Sequence, residues 1–190
     1  QGNSLILAFT NNHPPAAQTT WLYRTGSTMT IPLSTLAANW SDPDGDPVAL
    51  AGLDASSTTG VNNLSTDGTN IYYTNFNAVA DSFSYTVQDI RTNPPAIYQP
   101  GDTVQTGAGI VNILPPPAAL PSLSGNSLVL SGTGGKPNGN YYVLCSSNMT
   151  LPMNQWTIVA TNSFDSIGNF NFTNPVDPSQ PQLFYLLQLP

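Results

Sequence analysis

The sequence predicts an all-β protein built as two β-sandwich modules with an extended N-terminal strand, and three observations carry that reading. Charged residues make up 7% of the 190 residues, against roughly 25% in ordinary soluble domains. All ten acids are Asp, and the three bases are Arg24, Arg91 and Lys136, so the charged helix formers are nearly missing. Short apolar runs of strand length recur between Gly, Pro and Asn, without helical periodicity. Finally, "ILPPPAALPS", residues 113–122, divides the chain with a proline cluster that favours extended backbone and excludes a central strand. The boundaries that follow are 1–11 for the extended strand, 12–114 for the first module, 115–123 for a Pro-rich linker and 124–190 for the second module.

Taken in order, the first module offers strand-like runs at "TMTIPL" (28–33), "VALAGL" (48–53), "NIYYTN" (70–75), "DSFSYTVQD" (81–89) and "GAGIVNIL" (107–114). One short helical turn is expected at "LSTLAAN" (33–39). The second module offers "NSLVLSG" (126–132), "NYYVLCS" (140–146), "QWTIVAT" (155–161), "NFNFTN" (169–174) and "LFYLLQL" (183–189). Strands at this spacing with turn residues between them build sandwiches. With 39% hydrophobic residues the chain can fill a core, which argues against disorder.

Composition also narrows function. A net charge of −7 with three bases leaves no basic footprint for nucleic acid. No apolar run approaches the roughly 18 residues of a membrane helix. The sequence has no initiator Met and no signal-peptide pattern, which is the expectation for a mature secreted product or a trimmed segment. Cys145 is the one cysteine and cannot form an internal disulfide; in "YYVLCSS" it reads as a small core residue. Nucleophilic catalysis has little to work with. The one histidine, His13, precedes two prolines, and neither Gly-x-Ser-x-Gly nor His-Glu-x-x-His occurs. No enzyme is expected.

"TMTIPLSTLAANWSDPDGDPVAL" followed by "STDGTNIYYTNFNAVADSFSYTVQD" resembles the bacterial cadherin-like, Ig-like repeats of large surface and secreted proteins. The shared marks are the Ile-Pro-Leu run, the Leu-x-x-Asn turn, the Asp-rich loop and the Asp-Ser-Phe-x-Tyr-x-Val strand. The resemblance implies a sandwich over residues 12–114 that is used for adhesion, spacing or matrix building. Residues 124–190 are similar to short C-terminal β-modules of secreted bacterial proteins, chiefly from Verrucomicrobia and their relatives. Their marks are Tyr-Tyr-Val-Leu, Gly-Asn-Phe-x-Phe and the Phe-Tyr-x-Leu-Gln-Leu-Pro ending.

Two sets of side chains could carry a site. Asp42, Asp44 and Asp46 in "SDPDGDP" place carboxylates at alternate positions around Gly45, and Ca²⁺ takes several oxygens at once. The loop departs from an EF-hand: Gly falls at the fourth position and Leu53 stands where a bidentate Glu belongs. Trp40 also occupies a position that is often Asp in the repeats the stretch resembles. Asp81 or Asp89 could complete a Ca²⁺ site, while the alternative is a turn whose carboxylates bond its own backbone. Exposed aromatics could instead stack on sugars, Trp21 and Trp40 being the candidates.

The N-terminal segment raises the last question. "GNSLILAFT", residues 2–10, returns 123 positions later as "GNSLVLSGT", with six of nine residues identical. In a strand Leu5, Leu7 and Phe9 face one way and Ile6 faces the other, so both faces want cover. The segment could be the last strand of a preceding repeat, fold back on its own module, or add to a neighbour's sheet. The second module has only about 70 residues, a size at which an unaided core is marginal, and this favours strand donation. The resulting expectation is a secreted, extracellular structural subunit that forms a head-to-tail homopolymer through Leu5, Ile6, Leu7 and Phe9. The alternative is a carbohydrate-binding or adhesion module of a larger cell-surface protein, with extracellular glycans as partners.

Overall fold

The computed structural model describes residues 11–90 and 103–190, so Leu5, Ile6, Leu7 and Phe9 lie outside the described residues. The chain divides into two compact units, the first ending at Ile113 and the second running Leu114–Pro190. Both are built of strands, as the composition predicts. No helix among the described residues is long and apolar enough to cross a membrane.

The first unit begins with β1 (Ala16–Ala17), β2 (Thr20–Tyr23) and β3 (Thr28–Pro32), followed by a single helical turn, α1 (Leu33–Ala37). After it come β4 (Trp40–Ser41), β5 (Val48–Leu53), β6 (Leu64–Thr66), β7 (Asn70–Thr74), β8 (Asp81–Asp89) and β9 (Thr106–Leu114). One sheet has the order β2-β9-β8-β5, a second β3-β7-β6, and β1 pairs with β4. Strand β8 shows why the sheets close on each other. Its burial alternates residue by residue, so Asp81, Phe83, Tyr85, Val87 and Asp89 all face inward, as a period of two requires. The apolar members join Val111 and Ile113 of β9, Ile31, Leu64, Ile71 and Tyr73 of the other sheet, and Leu36 of α1 in one buried cluster. Each such side chain contributes about 1.5–3 kcal/mol on burial.

Tyr85 shapes this core further. It pairs across the ladder with Gly109, and a Cβ on Gly109 would lie 2.2 Å from the ring carbon Cζ. The bare glycine lets the ring lie flat over the neighbouring strand. The Tyr85 hydroxyl thereby reaches Trp40, whose indole N–H donates to it at 2.9 Å.

The second unit contains β10 (Ala118–Ser124), β11 (Ser127–Thr133), β12 (Asn140–Ser146), β13 (Thr157–Ser163), β14 (Phe170–Pro175) and β15 (Phe184–Gln188). Its sheets have the orders β10-β11-β14 and β13-β12-β15. Between them Tyr141, Val143, Phe164, Phe170 and Phe172 form the buried core. Tyr141 and Phe164 pack with centroids 4.8 Å apart and their planes tilted by 48°, and Phe170 stands edge-on to both, an arrangement that suits ring quadrupoles.

The sequence expectation differs from the structure at the proline-rich segment. Residues 115–123, expected as a linker, contribute most of β10, which pairs with β11 from Ala118↔Thr133 to Ser124↔Ser127. Proline is excluded from the middle of a sheet, but β10 lies at an edge, where a missing N–H costs no ladder bond. Cys145, expected in the core, is only half-buried.

Candidate functional site

Strand β8 defines two poles in the first unit. Asp81 and Asp89 are the first and last of nine residues, and eight steps of about 3.3 Å set them roughly 26 Å apart, so the two inward-facing acids cannot serve one site.

At the Asp81 pole the carboxylate is buried, 5% exposed, and accepts from six donors among the described residues. The Ser57 hydroxyl at 2.5 Å, the Tyr73 hydroxyl at 2.8 Å and the Asn75 amide at 2.7 Å donate to Oδ2. The Thr58 hydroxyl at 2.8 Å and the backbone N–H groups of Thr59 and Ser82, each at 2.9 Å, donate to Oδ1. Burial pushes the pKa of this carboxyl up, but bonds from Ser57, Thr58, Asn75 and Tyr73 outweigh burial and hold it well below the usual carboxylate range. The same pairing works in reverse on Tyr73, whose hydroxyl is pushed up to about 12 by desolvation and then by its bond to Asp81. Asn63 extends the network, accepting from the Ser57 N–H and donating to its hydroxyl, both at 2.9 Å.

Beside it, the buried Arg24 donates to the carbonyls of Asn75 at 3.2 Å, Val79 at 3.1 Å and Asn77. These bonds lash the β7–β8 connection to the β2 end. Every member of the network donates to or accepts from structural partners.

At the other pole lies the Asp-rich loop. Oδ1 of Asp42 accepts from the N–H groups of Asp44 at 2.8 Å and Asp46 at 3.2 Å, while Gly45 turns the chain at φ +81°. Asp44 faces His13, accepting its backbone N–H at 2.7 Å and lying 3.0 Å from its ring Nδ1. Those bonds from His13 lower the Asp44 pKa. Asp89 accepts from the Asn12 amide at 2.5 Å and the Gln105 N–H at 3.0 Å, and Asn12 also donates to the Thr103 carbonyl at 2.9 Å. The structure thus brings Asp89 to the end where the loop lies and leaves Asp81 at the far end. Oδ2 of Asp42 is buried with no hydrogen-bond partner among the described residues. Among the described residues no group of three or more His, Cys, Asp or Glu is arranged to hold a metal ion.

The aromatic candidates sit differently. Trp40 is tied to Tyr85, with ring centroids 6.0 Å apart, and packs on the first unit's core, so its ring is not a free platform. Trp21 is half-buried on β2.

The second unit holds an apolar groove of 430 Å³, lined from both sheets by Leu128, Leu130, Val143, Phe170, Tyr185 and Leu187. These are core-facing side chains, so the groove is a part of the sandwich interior left open. The strands beside it are unusually bare. All seven residues of β10 are exposed, Leu120 at 69% and Leu123 at 75%.

Sequence reasoning singled out Asp81 but not its partners Ser57, Thr58, Tyr73 and Asn75, nor Arg24. The signal was present in the alternation of "DSFSYTVQD", which puts Asp81 and Asp89 on the same inward face as Phe83, Tyr85 and Val87. An inward acid must find donors.

Residues 11–97 match the family model of the bacterial Ig domain. The matched stretch spans β1 to β8, and its sandwich agrees with the Ig-like resemblance of "TIPLSTLAANWSDPDGDPVAL". No curated protein matches the chain.

Proposed function

We propose that the protein is a structural module of the bacterial surface or extracellular space that associates head to tail, residues 4–9 of one copy adding as a strand to the next. The observation that carries this reading is the polarity of the first unit. Asn12 and His13 are fastened at the Asp89 and Asp44 pole. At the other pole β9 ends beside the start of β8, with Ile113 opposite Asp81, and the second unit follows in the chain. The chain therefore enters the first unit at one pole and leaves it at the other, the connectivity that a head-to-tail contact uses.

Strand addition supplies main-chain bonds along the edge and pockets for alternate side chains. Similarity to bacterial Ig domains and a surface kept polar by Asn, Ser and Thr rather than by charge support the extracellular setting. The test is electron microscopy and light scattering of the wild-type chain beside Leu7→Asp. Wild type is expected to form filaments and Leu7→Asp to remain monomeric. Equal assembly of both would refute strand donation.

A further inference from the structure

Resting on the strand-donation reading, we propose that the acceptor is the apolar groove of the second unit. Residues 4–9 of a second copy pair along the outer edge of β15, with Leu5, Leu7 and Phe9 turned into the groove.

Three observations select this occupant and this edge. The first is the internal repeat. Residues 2–10 reappear as 125–133, which is the turn residue Gly125, Asn126 and strand β11. In that copy Leu128 and Leu130 line the groove, and they correspond to Leu5 and Leu7. The same alternation thus assigns Leu5, Leu7 and Phe9 to the apolar side of the incoming strand and Ile6 and Ala8 to its outer side. The copies diverge where the setting demands it. Gly132 has no room for a side chain, because a Cβ there would lie 1.9 Å from the Ala118 carbonyl and 2.7 Å from the Phe170 ring. Phe9 takes the equivalent place in a segment that has a cavity to fill.

The second observation is the cavity itself. A groove of 430 Å³ lined by core-facing Leu, Val and Phe side chains is far larger than the ~30 Å³ share of one water. The buried cluster beside it holds five residues, where that of the first unit holds ten. Filling the groove completes a sandwich that is marginal by itself.

The third is the state of the sheet edges. The strand orders leave β10, β14, β13 and β15 at the edges. β13 contributes nothing to the groove and β14 only Phe170. β10 carries Pro121 within it and three prolines just before it, which blunt it against further pairing. β15, "FYLLQ", has no proline, lines the groove through Phe184, Tyr185 and Leu187, and among the described residues pairs on one side, with β12.

The experiment uses full-length chains in two complementary classes. Leu7→Asp spoils the donor and leaves the groove intact. Ala119→Trp and Phe184→Asp alter the groove from exposed and half-buried positions, leave the donor intact, and are checked for folding by near-ultraviolet circular dichroism. Each variant alone is expected to be monomeric in mass photometry. A mixture of Leu7→Asp with either groove variant is expected to give a one-to-one dimer that grows no further. A synthetic peptide of residues 2–10 is expected to bind Leu7→Asp one-to-one, with at least a tenfold loss when its Leu5 and Leu7 are replaced by Asp. If folded groove variants polymerise as wild type does while Leu7→Asp does not, strand donation stands and this acceptor is wrong. If Leu7→Asp also polymerises, both ideas fall. If neither groove variant folds, the peptide decides, and its failure to bind Leu7→Asp overturns the groove assignment.

Discussion

At the scale of single residues, the most consequential side chain is Asp81. It replaces water with six protein donors, and removing it would leave buried hydroxyl and amide groups without an acceptor. Hydrogen bonds to charged groups are worth about 1.5–3 kcal/mol each on deletion, so Asp81→Ala is expected to cost at least about 3 kcal/mol in a urea melt at pH 7. Its pH dependence has a definite sign. The folded pKa lies below the value of about 3.9 for a free Asp, so the carboxylate stabilises fully above that value and the contribution is lost as pH falls below it. Asp81→Asn should therefore flatten the acid limb of stability between pH 4 and pH 2. Tyr73 gives the mirror case. Its hydroxyl, raised to about 12 from about 10 in the unfolded chain, stabilises below pH 10 and ceases to do so as pH climbs towards 12. Tyr73→Phe is expected to remove that alkaline slope while leaving the melting curve two-state within the first unit.

Among the elements, the long strands were legible because their patterns are unambiguous. "VALAGL", "DSFSYTVQD" and "NYYVLCS" form β5, β8 and β12 over the residues expected, since alternation or continuous β-branched and aromatic content leaves no competing period. The two-residue strands β1 and β4, and β6 with three, were not legible, because their pairing is imposed by neighbours rather than by local preference. β10 was hidden by its prolines, which speak against a central strand but not against an edge. The Asp-rich loop was legible as a turn or an ion clamp, and its hydrogen bonds favour the turn. Oδ1 of Asp42 serves two backbone N–H groups, so Asp42→Ala is expected to lower stability by about 1–2 kcal/mol. Millimolar Ca²⁺ is expected to leave the melting temperature of wild type unchanged. A rise that Asp42→Ala abolishes would show instead that the loop reorganises around the ion, using the unpartnered Oδ2 of Asp42. In the ladder between β8 and β9, Gly109→Ala drives a methyl into the Tyr85 ring. The expected cost is about 1–3 kcal/mol of overpacking, with loss of the Trp40–Tyr85 bond visible as a change in tryptophan emission.

For the whole molecule, the two units have buried clusters of unequal size, and assembly should act on only one of them. The first unit has the larger core and a pole locked by Asp81 and Arg24. The second has a small aromatic core and an open groove. A ligand that binds only the folded form raises stability by an amount that grows with its free concentration, and in a head-to-tail polymer that ligand is the next copy. Hydrogen exchange read by mass spectrometry separates the units. Protection of residues 114–190 is expected to rise with protein concentration, most strongly on β15, whose outer N–H groups gain partners. Protection of β5, β8 and β9 is expected to stay constant over the same range. In Leu7→Asp the concentration dependence of residues 114–190 should vanish. A uniform rise across both units would mean that copies meet through some other surface, and the division of labour drawn from the two cores would fail with it.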